Sequence, residues 1–396
     1  MIASRFLVLL LAGVAVSSFG RLAFTRSPVP REVIFQKVVI DPEFRSEGVA
    51  VADVNRDGKP DILAGNFWYE APAWKPHEIA PPQKFDPAKG YSNSFLDFTL
   101  DVDRDGWPDQ IVFGFPGREA FWRQNPRGRA GAWKEFPIAR NVMTESPIFA
   151  KLAGLRTPVL VFPYDSRSMA WYEPNQDSSQ EFIRHLIGMP GPEASKISMH
   201  GLGVGDVNGD GRPDVLTTGG YWEAPKDPRA SPWKFVPAHL GPDCAQMIAY
   251  DVNGDGLPDV LTSSAHAIGV WWFEQRKGPN GPEFTQHTID DSFSQAHAQV
   301  LADINGDGLM DIVTGKRFWA HGPTGDVRPG DPCVLYWFEL QRNGREVRWV
   351  RHLIDSDSGV GTQFEVVDLN RDGRLEIVVA NKKGVFLFQQ QSGVAR

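Results

Sequence analysis

One nine-residue segment, Asp53-Val54-Asn55-Arg56-Asp57-Gly58-Lys59-Pro60-Asp61, constrains this chain more than any other feature. It recurs five more times, beginning at Asp101, Asp206, Asp251, Asp303 and Asp368, the last copy ending in Glu376 where the others end in Asp. A short apolar run precedes each copy, as at 49–52 and 248–250, and a second follows, as at 62–63 and 260–262. Aromatic clusters come next, at 67–70, 221–223, 271–274 and 336–339. Short runs rich in Val, Ile and aromatics, bounded by Gly, Asp and Pro, read as strands. Their return at a near-constant period demands a repeat architecture. The 39 Gly, 31 Pro and 13 Trp fit short strands joined by tight turns.

Between Asp101 and Asp206 lie 105 positions, about twice the 48 between Asp53 and Asp101. A degenerate copy fills the gap: strands at 148–152 and 159–161 and an aromatic cluster at 171–174, without the acidic loop. That makes seven units. A fourth strand in each carries an aromatic followed three residues later by His, as in Trp74 to His77, Phe182 to His185, Phe284 to His287 and Trp349 to His352. His239 follows Trp233 in the corresponding stretch, and Trp133 to Phe136 is a version without His. The last unit stops at 385–388 without this strand, and a matching piece, 35–40, stands at the N-terminus. A ring closed by its own N-terminal strand leaves no exposed sheet edge. The expected fold is therefore all-β: a seven-bladed β-propeller over residues 33–390, closed by an N-terminal outer strand. An open solenoid would have no use for the displaced strand.

Residues 1–20 read as a signal peptide: Arg5, an apolar run at 6–16, then Ser17 and Ser18. The run is shorter than the ~20 residues a span requires, so no stable membrane span is expected. The reading is export to the periplasm or the extracellular space. An N-terminal membrane anchor is the alternative, because Arg21 blurs the cleavage site. No Cys lies near this region, which excludes a lipoprotein. With 41 Lys and Arg against 49 Asp and Glu, the net charge of -8 argues against a nucleic-acid partner.

Within each loop the spacing Asp-x-Asn/Asp-x-Asp-Gly-x-x-Asp/Glu brings alternate oxygens to one point, as in the first half of an EF-hand. An EF-hand itself is excluded, because position twelve is Ala64, Val112 or Thr217 and strands flank the loop. Hard oxygen donors suit Ca²⁺, and up to six structural ions are expected. The ligands would be Asp53, Asn55, Asp57 and Asp61; Asp101, Asp103, Asp105 and Asp109; Asp206, Asn208, Asp210 and Asp214; Asp251, Asn253, Asp255 and Asp259; Asp303, Asn305, Asp307 and Asp311; and Asp368, Asn370, Asp372 and Glu376. These loops hold 19 of the 49 acidic residues, which would repel one another without a cation. The alternative is a metal-free Asx turn. The loops and aromatic strands resemble the FG-GAP/VCBS repeat family, although its Phe-Gly and Gly-Ala-Pro segments are not well kept. The resemblance implies ions that brace blades and do no chemistry.

The propeller places all acidic loops on one face, leaving the starts of the innermost strands and the ends of the second strands on the other. Five histidines belong to the outer-strand pattern and read as structural. His200, His266, His297 and His321 obey no repeat rule. His200 and His297 stand six residues before the first Asp of their loops, where Glu47 stands in the first unit. His266 and His321 follow second strands, near Lys316 and Arg317, with Asn66, Tyr164 and Asp165 at corresponding places. Imidazoles with a carboxylate fit Zn²⁺ or another divalent metal with an open position, or an acid/base site. The stretches 198–203, 295–298 and 316–322 also resemble the propeller part of the aldos-2-ulose dehydratases. That resemblance implies metal-assisted β-elimination from a keto-sugar, with His200, His297 and His266 near the metal and His321, Lys316 and Tyr164 in acid/base roles. A non-catalytic propeller that binds a glycan or a protein is the alternative. No Gly-rich phosphate loop or nucleophile elbow is present. The two cysteines, Cys244 and Cys333, fall on this same face, either as a disulfide or as two buried thiols. The connection at 320–332, which holds Gly322, Gly325, Pro329 and Gly330, would serve as a lid.

Overall fold

The computed structural model describes residues 32–165, 168–189, 200–242 and 244–391. Residues 1–20, read from the sequence as a signal peptide, and Ser198, Met199 and Asp243 lie outside them.

Among the described residues every regular element is a β-strand, and the strands run as consecutive antiparallel four-strand meanders. The first comprises Ala50–Ala52, Asp61–Ala64, Phe67–Glu70 and Lys75–Glu78. Five sheets have four strands; the sixth has eight, because two meanders (202–237 and 246–294) join through a short parallel pairing, Leu202 with Gln246 and Gly203 with Met247. The N-terminal strand Ile34–Asp41 pairs with the C-terminal strand Gly384–Gln391, with Ile34 opposite Gln391. The expected closure by an N-terminal outer strand is present.

The core lies between sheets and not within any one of them. Six apolar clusters join each meander to the next, and one of them packs Ala298 and Val313 of the sixth, Val378 and Leu387 of the last and Val49 and Ile62 of the first. A chain of sheets whose last member packs on its first is a β-propeller. Second strands are buried along their whole length, as in Asp61–Ala64, Asp214–Thr217 and Asp311–Lys316, because both faces meet a neighbouring sheet.

The outer-strand histidines stack on the third-strand Trp and bond the Glu two residues beyond it. Ring centroids of Trp68 and His77 are 4.2 Å apart, and His77 Nε2 lies 2.7 Å from Glu70 Oε2. His185, His287 and His352 repeat the arrangement with Trp171, Trp272 and Trp337. His239 does not: it is exposed past the end of Lys234–Pro237, and Phe235 packs at a tilt against Trp222 in its place.

Each acidic loop is built around its first and last acids. Asp53 Oδ2 accepts from Gly58 N at 2.9 Å, and the same bond recurs at Gly106, Gly211, Gly256, Gly308 and Gly373. Gly58 and its counterparts take φ near +90°, which glycine adopts without strain. The last acid is buried. Asp61 accepts from Val54 N and from Ala71 N, both at 2.9 Å, tying the loop to the end of the third strand. Asp109, Asp214, Asp259 and Asp311 do the same.

Candidate functional site

On the face opposite the loops, the residue six places before each loop's first acid stands at the mouth of an innermost strand. For the six loops these are Glu47, Phe95, His200, Ala245, His297 and Thr362, and Glu145 stands at the matching place, three residues before Ile148–Ala150 as Glu47 is before Ala50–Ala52. Glu145 belongs to the degenerate third unit, where the missing loop hides the register, and it was not among the sequence-derived candidates.

Glu145, His200 and His297 converge. Glu145 Oε2 lies 3.3 Å from His297 Nε2 and 3.5 Å from His200 Nε2. His266, which follows the second strand of the fifth unit, places its Nε2 3.1 Å from His200 Nε2. One ring nitrogen from each of His200, His266 and His297 lies within 4.8 Å of the others. Donors on ~2.0–2.1 Å bonds to a tetrahedral metal are about 3.4 Å apart, and the His200–His266 distance of 3.1 Å and the Glu145 distances of 3.3 and 3.5 Å lie about that value. His297 is fully buried, and its Nδ1 has no hydrogen-bond partner.

Arg317 closes the group from the side. Its Nη1 donates to His297 Nε2 at 2.8 Å and to Glu145 Oε2 at 3.1 Å, and its Nη2 donates to Glu47 Oε1 at 3.2 Å. The guanidinium also lies over the Phe95 ring. Burial and then the Arg317 charge push the His297 pKa well down. Burial alone would raise Glu145; its hydrogen bonds to His200 and His297 and the Arg317 charge bring it well below the usual carboxylate range. Burial raises Glu47, against the pull of Arg317 and Lys382.

The connection between Asp311–Lys316 and Leu335–Asn343 covers the mouth. From it, Asp326 Oδ1 accepts from His321 Nδ1 at 2.8 Å and lies 3.5 Å from His266 Nδ1, and Asp326 Oδ2 accepts from His321 N. Lys382, after the second strand of the last unit, is buried and donates to Trp319 O at 2.9 Å. Burial lowers its pKa to about 8, against the opposing pull of Glu47.

The structure thus gathers His200, His266, His297 and His321 and adds Glu145, Arg317, Asp326 and Lys382. It does not bring Lys316 or Tyr164 into the group. Lys316 is buried and donates to Ser294 Oγ and Arg328 O, fastening the covering connection. Tyr164 is half-exposed, with its ring 3.5 Å from the Arg184 guanidinium carbon. Asn66 is also outside, bonded to Pro81 O. Cys244 and Cys333 are not joined: both are buried thiols, Cys244 Sγ lying 3.0 Å from Pro242 O and Cys333 bridging to Asp357. A cavity of about 680 Å³ lies elsewhere, between the first two units, lined by Trp68, His77 and Trp133.

In the acidic loops, Asp101, Asp103 and Asp109 bring one oxygen each within 4.8 Å of the others. Asp53 Oδ1 and Asp101 Oδ1 are buried without a hydrogen-bond partner. Orphaned carboxylate oxygens in a hard-oxygen cluster fit a cation such as Ca²⁺.

The FG-GAP-like repeat family matches residues 251–314. No curated protein matches the chain. Among solved structures, BBS1N, crystallised in complex with ARL6DN, is similar with TM-score 0.52 and 10% identity over 93% of this chain and 99% of that one. An ancestral GH74 enzyme is similar with TM-score 0.56 and 12% identity over 89% of this chain and 48% of that one. At such identities the likeness is one of fold.

Proposed function

We propose that the protein is an exported, metal-dependent lyase that eliminates water from a small oxidised carbohydrate at the His-lined mouth of a seven-bladed propeller. The eight-stranded sheet counts as two blades joined at their inner edges, and residues 33–390 form one domain. Ca²⁺ in the six acidic loops braces the blades.

The observation that carries this reading is the convergence of His200, His266 and His297, one ring nitrogen of each within 4.8 Å of the others, with Glu145 3.3 Å from His297 and 3.5 Å from His200. Three imidazoles suit Zn²⁺ or a similar divalent ion and leave a fourth position open for substrate, with the Glu145 carboxylate beside it. When bound, such an ion polarises a substrate carbonyl. His321 donates its Nδ1 proton to Asp326, which leaves Nε2 as the ring's acceptor for an α-proton. Lys382, an ammonium among carboxylates, is the acid available to the leaving oxygen. The connection at 317–334 shields the site from water.

Metal analysis after mild chelation, combined with an elimination assay on keto-sugars, tests this. One transition-metal equivalent beyond calcium is expected, with loss of both metal and activity in His200→Ala and His297→Ala. Calcium alone, with unchanged behaviour in both variants, would leave the non-catalytic binding propeller as the better description.

A further inference from the structure

An imidazole has two ring nitrogens, and those of His266 face different donor sets. Nε2 belongs with His200, His297 and Glu145. Nδ1 is buried, has no hydrogen-bond partner, and lies 3.5 Å from Asp326 Oδ1. Asp326 in turn meets His321 Nδ1, and the His266 and His321 ring centroids are 4.5 Å apart. One donor atom from each of His266, His321 and Asp326 lies within 4.8 Å of the other two. Among the described residues this group and the three-histidine group share one member, His266.

We propose that His266, His321 and Asp326 form a second metal subsite, bridged to the first through the His266 ring, and that its occupation switches the protein off. The inference rests on the reading that the His200, His266, His297 and Glu145 group binds a metal. Two nitrogens and one carboxylate oxygen suit the same borderline ions. His321 keeps its Nδ1 proton on Asp326 and enters through Nε2, so only the His266 ring gives up a proton. The first ion takes the Nε2 lone pair and leaves the proton on Nδ1. The second ion enters at Nδ1 as that proton departs to solvent, so the neutral ring becomes a bridging imidazolate.

Three features make the second site the weaker. It must displace a proton, half of His321 is exposed to water, and two dications separated by one ring repel each other. Its occupation also consumes His321, the proton acceptor, so excess metal inhibits. Because His321 and Asp326 both lie on the covering connection, the second ion pins that connection to His266 of the fifth unit.

The test is calorimetric titration of Zn²⁺ into the chelator-stripped full chain in calcium-containing buffer, with Cu²⁺ loading followed by electron paramagnetic resonance. The wild type should take up two Zn²⁺, the second more weakly, and its doubly Cu²⁺-loaded form should lose most of its signal through coupling across the ring. Asp326→Asn and His321→Ala should each retain one tight Zn²⁺ and an uncoupled Cu²⁺ signal. A single Zn²⁺ in the wild type, weakened about 10–100-fold by Asp326→Asn, would make Asp326 a positioning residue and overturn the second subsite while leaving the first. Absence of any Zn²⁺ uptake would overturn both.

Discussion

Glu365 sits on the innermost strand Phe364–Val367, its carboxylate accepting from Gln363 Nε2 at 2.9 Å. Burial raises its pKa to about 7, against the hydrogen bond from Gln363. The native chain therefore keeps a proton that an unfolded glutamate, with pKa about 4.3, has lost. Stability is fully present below about pH 4.3, falls as pH rises towards 7, and levels off above it. Glu365→Gln should match the wild type at pH 4 and exceed it by up to about 3 kcal/mol at pH 8. Urea titrations at both pH values check this, and a parallel pH dependence in the two proteins would refute it. Arg317 invites a second substitution. Arg317→Met leaves Glu47 and Glu145 buried without their cation, costing about 3–5 kcal/mol in the metal-free protein. It also frees the His297 Nε2 lone pair, so Zn²⁺ should raise the variant's Tm more than the wild type's. An equal or smaller rise would count against a metal at this mouth. The four odd histidines were legible in the sequence because they break a repeat. Glu145 was not, because its unit lacks the acids that set the register; counting from the strand 148–150 instead would have found it. Lys382 and Asp326 lie on loops whose path no repeat fixes.

At the scale of the element, each acidic loop carries two separable functions. Its final acid is a backbone acceptor, as Asp311 is for Ile304 N and Leu340 N, whereas its first acids are the proposed Ca²⁺ ligands. Asp311→Ala strands two buried donors and should cost about 2–4 kcal/mol, with or without a chelator. Asp101→Ala should instead lower Tm more with Ca²⁺ than with EGTA, the loss of the Gly106 N bond being common to both, since the wild type is stabilised by the ion it binds. Thermal melts of both variants with and without EGTA separate the roles. Identical chelator responses in wild type and Asp101→Ala would remove Ca²⁺ from the second unit's loop. The strands and aromatic clusters followed the sequence pattern closely, because alternation and turn residues are local signals. His239 did not, because its spacing from Trp233 differs from that of the true outer-strand histidines, and Phe235 already occupies the stacking place beside Trp222.

For the molecule as a whole, closure depends on a strand from the far end of the chain. Removing residues 34–41 exposes the edge of Gly384–Gln391 along its length. The truncated protein should lose its cooperative melt or self-associate through that edge, and light scattering with calorimetry would show either. A monomer melting like the wild type would mean that the inter-sheet clusters suffice. The ring is also tied near its axis: Gln246 Nε2 donates to Thr362 O at 3.0 Å, and Thr362 Oγ1 donates to Glu47 O at 3.1 Å. The pairing of Ile34 with Gln391 has an orientational result. Gln390 accepts from Arg374 Nε of the last acidic loop, so Ile34 begins at the rim on the loop side. Any tether attached ahead of it would hold the molecule with its carboxylate-rich underside towards the anchorage and turn the covered, histidine-bearing face to the surrounding medium.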